Sequence, residues 1–348
     1  MIDASFSLKV KILSAVALFF VVLQHSSPAV EDASVAGRIW RDAVAYGIAD
    51  YPVSFFFILS GFFLAQNLRC GWWIRAVGKR IRSLVIPYLV WCLIGWGVLW
   101  QFQKICWLDV WGITNHLPIL ESLWYVKVLF VLVLVSLPFV WLFNLGRVSS
   151  KVRIGAWISL CLVLATLCLF RNLPAQKTVI FSSLYFCLGI LIATNMTESV
   201  RLMEWLRGKR NVLMVLCGLL ILLKCVCGIV MRTPETFLRW YLVPACIVTT
   251  WVLYDTVAEK TRMVAILSKR PIFRTMLSGT FFVYCCQDLV MKLLVSGVPA
   301  WGVHGFGCPT VIWSACSLAI SVYMISIVLF FACRFAAPKA YELLSGGR

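Results

Sequence analysis

The chain has 348 residues, 62% of them hydrophobic and only 13% charged, with a mean hydropathy of +0.92. That is too little charge to cover a soluble globule, so the composition excludes a water-soluble protein and implies one embedded in a membrane. The formal net charge of +18 would point to nucleic acid in a soluble chain, but the basic residues cluster between apolar runs, where membrane anchoring explains them, and no nucleic-acid partner is expected.

Apolar runs of spanning length fall near 12–28, 47–66, 84–101, 121–143, 154–170, 178–195, 212–231, 240–257, 275–296 and 309–333. They predict an all-α polytopic bundle of about ten spans, organised as a single domain over residues 1–348. Lys9 and Lys11 ahead of the first run, with Ser27-Pro28-Ala29 after it, have the outline of a signal peptide, but the many later runs favour a retained first helix. The second run is interrupted by Pro52 and preceded by Asp50.

Orientation follows from the alternate connections. One set carries 22 Lys and Arg residues and the other 7, which puts both termini in the cytoplasm, His25 toward the outer side and the Arg69–Arg82 cluster inside. The 15 cysteines lie mostly within apolar runs, as Cys161, Cys168, Cys217, Cys225, Cys316 and Cys333 do, and read as small packing residues. No paired Cys-x-x-Cys stations exist, so no metal site is expected.

Five stations could carry chemistry. His25 closes the first run, and an imidazole at a helix mouth is either an interfacial hydrogen-bonding group or a general base able to take a hydroxyl proton. Ser60 and Gly61 allow close helix approach in the second run. Arg75, Lys79, Arg80 and Arg82 precede the third run, where they serve as membrane anchors or as a site for a polyanion such as coenzyme A phosphates or anionic headgroups. Glu121 and Trp124 open the fourth run, Glu121 as a solvated helix-start carboxylate or as an orienting group for an imidazole. Tyr284, Gln287 and Asp288 share one face of the ninth run, and Lys292, four residues on, would neutralise Asp288; Lys224 in the seventh run has no evident local partner.

In their order and spacing, these segments resemble the acyltransferase 3 family of membrane acyltransferases, which modify sugars and lipid-linked glycans of bacterial envelopes. The resemblance is carried by Val21-Val22-Leu23-Gln24-His25, Phe56-Phe57-Ile58-Leu59-Ser60-Gly61-Phe62, Lys79-Arg80-Ile81-Arg82 before Pro87-Tyr88, Leu123-Trp124-Tyr125 and Phe281-Phe282-Val283-Tyr284, and the closing Pro338–Arg348 is also similar to the tail of some members. It implies transfer of an acyl group, usually acetyl from cytoplasmic acetyl-CoA, to a hydroxyl of an envelope glycan or lipid-linked sugar at the bacterial inner membrane. His25 would be essential and the basic stretch would hold the donor, with no permanently bound cofactor. Export of such a glycan is the alternative, with Lys224, Asp288 and Lys292 along the path.

Three positions depart from the family pattern. Ser14 stands where many members carry arginine, and Ser122 and Gln287 stand where others carry histidine. Either Glu121, Gln287 and Asp288 substitute for these groups, or catalysis has been weakened or lost.

Overall fold

The computed structural model describes residues 4–27, 39–68, 73–99, 119–144, 155–156, 160, 174–231, 236–261, 263–297 and 308–347. Among them every regular element is helical. In chain order the α-helices are α1 (Ala4–His25), α2 (Tyr51–Leu68), α3 (Trp73–Arg80), α4 (Ile86–Leu99), α5 (Trp124–Asn144), α6 (Pro174–Thr194), α7 (Met196–Gly208), α8 (Arg210–Met231), α9 (Thr236–Lys260), α10 (Met263–Lys269), α11 (Pro271–Ser278), α12 (Thr280–Gly297), α13 (Cys308–Ala336) and α14 (Pro338–Ser345).

Six helices among the described residues are long and apolar enough to cross a membrane, or eight if each of two bent pairs counts as one span. The run expected at 154–170 falls largely outside the described residues. The run expected at 275–296 is not straight: α11 and α12 meet at 63°. Gly279 stands at that corner because the Phe330 ring occupies the space a Cβ would need, 2.7 Å from its nearest atom.

The chain divides into two compact units, Met1–Pro52 with Leu202–Pro338 and Val53–Arg201 with Lys339–Arg348. In the first, α1 packs on α12 and α13 through Val22, Leu23, Val290, Leu318, Ala319 and Val322. Lipid tails are as apolar as these side chains, so the helices gain little from the hydrophobic effect and rely on close packing and polar links. Two such links hold α1. Tyr323 on α13 donates to the Ala15 carbonyl at 3.2 Å, and Lys9, near the start of α1, is buried 2.6 Å from Asp255 and 3.8 Å over the Trp251 ring.

The stretch before α2 also belongs to this unit. Arg41–Ala45 forms a π turn and Ile48–Asp50 a 3₁₀ turn, and Pro52 is the second residue of α2, where a missing N–H costs nothing. The proline therefore begins the helix instead of interrupting it. Asp50, 6% exposed, accepts a two-pronged pair from Arg239 at 2.6 and 2.9 Å. Lys224, which lacks a partner in its own helix, donates to the Tyr46 carbonyl and lies within electrostatic reach of Asp50 and Asp42. Its partners come from an irregular segment about 180 positions away in sequence, which no helical spacing could show. The thiols of α8 and α9 also meet here, with Cys217 and Cys246 sulfurs 3.4 Å apart, and all described cysteines are free.

In the second unit α2 and α6 approach through reciprocal glycines. A Cβ on Gly61 would collide with the Phe186 carbonyl, and one on Gly189 with the Ile58 carbonyl. Gln66 donates across the same contact to the Ala193 carbonyl at 3.4 Å. α5 packs on the segment joining α3 to α4, and α14 returns to that same region.

Candidate functional site

His25 is the last residue of α1 and is half-buried. The helix stops there for local reasons. Ser26 and Ser27 turn their hydroxyls back onto the Val22 and Leu23 carbonyls at 2.8 and 2.7 Å, satisfying acceptors the helix end would leave bare. Pro28 follows in sequence and disfavours helical geometry at Ser27. Trp40 then donates its indole N–H to the Ser27 hydroxyl at 3.3 Å, tying the irregular stretch to the histidine's end of the helix.

The neighbouring wall of this end is α12. Val22 and Leu23 share a core with Val290 and Met291, and the Ser26 hydroxyl is 3.9 Å from the Met291 sulfur. Asp288 lies three residues before Met291, about 4.5 Å along the helix axis, and is 4% exposed; Gln287 is 1% exposed and Tyr284 is buried. Every residue from Phe282 to Val290 is buried, so α12 is enclosed all round here and the three polar side chains lie within that enclosed stretch. The Lys292 ammonium is 3.6 Å from Asp288, the pairing expected from their spacing. Neither polar atom of the Gln287 amide has a hydrogen-bond partner among the described residues. A buried amide with unused donor and acceptor capacity is costly, and such groups concentrate where a polar ligand completes the set.

The other predicted residues belong to the second unit. Ser60 meets the Tyr125 hydroxyl at 3.2 Å, and the Tyr125 ring packs edge-on against Phe57 with centroids 4.7 Å apart. The sequence points to Trp124, but that side chain packs beside Phe57 at 6.3 Å, and it is Tyr125 that reaches the serine. The signal was present, since the two aromatics are adjacent. Burial separates them, since Tyr125 is buried and Trp124 only half-buried. Glu121 itself is exposed at the head of that turn.

The basic stretch spans α3 and a π turn, Ile81–Val85, that leads into α4. Pro87 explains the turn. It has no N–H for the Ser83 carbonyl four residues earlier, and its ring would strike that carbonyl in a regular helix. The backbone widens instead, and Ile86 donates to Ile81. Arg80, half-buried, lies within electrostatic reach of Tyr125, whereas Lys79 and Arg82 are exposed. Arg75 sits on α3, one turn before Lys79. The structure thus joins Arg80, Tyr125 and Ser60 within one unit, with Lys79 and Arg82 exposed, and in the other packs the His25 end of α1 on Val290 and Met291, one turn along α12 from Gln287 and Asp288.

The family model of an acyltransferase domain, that of the acyltransferase 3 family, matches residues 9–331. No curated protein and no solved structure matches the chain. With the match covering the first helix through most of α13, and apolar helices of spanning length throughout, the chain is a multi-pass membrane acyltransferase and belongs to the acyltransferase 3 family.

Proposed function

We propose that this protein is an O-acyltransferase of the bacterial inner membrane, moving an acyl group, acetyl by preference, from acyl-CoA to a hydroxyl of an envelope glycan or its lipid-linked precursor. The observation that carries the reading is the family match over residues 9–331, coupled with a half-buried His25 closing an end of α1 that packs on Val290 and Met291, one turn along α12 from the buried Gln287 and Asp288.

In this reading His25 takes the proton from the acceptor hydroxyl, whose oxygen attacks the thioester carbonyl, and coenzyme A leaves as its thiol once protonated. Arg80 with Lys79, Arg82 and Arg75 holds the donor phosphates, for which guanidinium forks are well shaped. Gln287 offers both a donor and an acceptor to the sugar. Ser60 and Tyr125 form a paired hydroxyl station between α2 and α5, and Gly61 keeps α2 close to α6.

The test supplies labelled acetyl-CoA to membranes carrying His25→Ala. Loss of a general base lowers transfer by about a hundredfold or more, and label reaching glycan undiminished would remove the catalytic role. Loss of glycan export with its acyl content intact would instead favour translocation through Lys224, Asp288 and Lys292.

A further inference from the structure

The C-terminal segment lies beyond the residues matched by the acyltransferase family, yet it is tied closely to the basic stretch. α14 ends in two glycines with positive φ, 69° at Gly346 and 72° at Gly347. Gly347 donates to the Glu342 carbonyl at 2.8 Å, the closure typical of a helix ending on a left-handed glycine. That conformation sets the Gly346 backbone directly on Ser83, where a Cβ would come within 2.7 Å of the Ser83 Cα and oxygen. One residue before the cap, the Leu344 carbonyl accepts from the Trp91 indole at 3.1 Å. Tyr341, Ser345, Ser83 and Trp91 are all buried in the contact.

These attachment points bracket Pro87. Ser83 lies four residues before it, at the position a regular helix would pair with residue 87, and Trp91 lies four residues after it. The turn that Pro87 causes is packed on by α5 and contacted by the tail at Ser83. The widened turn fixes the rotation of Arg80 and Arg82 relative to α4.

We propose that Pro338–Gly347 is a splint across the Pro87 break that sets the register of the donor-binding arginines, making Gly346 and Trp91 positioning residues for acyl-CoA. This rests on the reading of Arg80 as a donor ligand. Holding Arg80 in place affects how donor binds, not how the acceptor proton is removed, so the splint acts on KM and leaves kcat alone.

Initial rates of acetyl transfer are measured against acetyl-CoA concentration for the full-length protein in membranes. Gly346→Val forces a side chain onto Ser83, and Trp91→Phe removes the link to Leu344 while keeping an aromatic ring. Each should raise the KM for acetyl-CoA about tenfold, the effect of misplacing one charge-assisted hydrogen bond, with kcat within about twofold. Leu343→Ala, on the exposed side of α14, should change neither. Arg80→Ala should raise the same KM, and adding Gly346→Val to it should bring no further rise. If Arg80→Ala raises KM and the two tail-contact variants do not, the splint is overturned and the donor reading stands. If Arg80→Ala leaves KM unchanged, the donor reading falls and the splint with it. A fall in kcat or in folded protein with KM unchanged shows a merely structural tail and also overturns the proposal. Should Gly346→Val fail to insert, Trp91→Phe decides alone.

Discussion

At the scale of single residues, the costly groups are those that the membrane would otherwise expel. Asp50 and Arg239 illustrate this, since Asp50 is buried and its charge is balanced by the two-pronged guanidinium. Arg239→Ala strips that carboxylate of its hydrogen-bonded partner, with the Lys224 charge still within reach, and should destabilise the protein by about 3 kcal/mol, read from unfolding in mixed micelles. Adding Asp50→Asn should recover most of the loss; if the two losses simply add, the pair is not coupled. Tyr125→Phe removes the hydroxyl facing Ser60 and should cost about 1 kcal/mol, while Trp124→Phe, beside it, should not disturb Ser60.

At the scale of elements, helix approach is governed by what is absent. Gly61 and Gly189 let the backbones of α2 and α6 touch in a reciprocal manner, and a methyl at either place strikes a carbonyl that cannot move without its helix. Gly61→Ala and Gly189→Ala should each destabilise by about 1–3 kcal/mol. Gly218→Ala on α8 is the opposite case: nothing lies within 4 Å of its added Cβ, so the change should stabilise by about 0.5–1 kcal/mol through helix propensity. Equal effects at all three sites would mean that the close approach of α2 and α6 does not govern stability. The Pro87 turn shows the same logic from the other direction. One missing N–H widens the helix, and the tail packs against that turn at Ser83.

At the scale of the molecule, the distribution of basic residues predicts that both termini lie in the cytoplasm. A fluorescent reporter attached after Arg348 should therefore fluoresce, and an alkaline phosphatase fused at the same point should be inactive. The reverse pair of results would overturn the orientation. The helical class and the family were legible in the chain because lipid demands long apolar runs whose backbone is satisfied internally, and because the family's motifs are local strings. That Tyr284, Gln287 and Asp288 lie on one face of a helix was legible too, since the helical period alone sets it, whereas their burial comes from the neighbours that enclose α12 all round.

Other features required the third dimension. Lys224 finds the Tyr46 carbonyl, Lys9 finds Asp255, Gly61 finds Phe186, and Gly346 finds Ser83. In each case the partner lies far along the sequence and contributes a backbone atom, or a charge whose orientation depends on how two elements cross. The sequence by itself determined what kind of molecule this is, because transfer into lipid sums over residues one at a time. Only tertiary structure decided that Tyr125 and not Trp124 meets Ser60, and that the tail clasps the turn behind Arg80, because those outcomes depend on helix phase and on the separation of backbones in space.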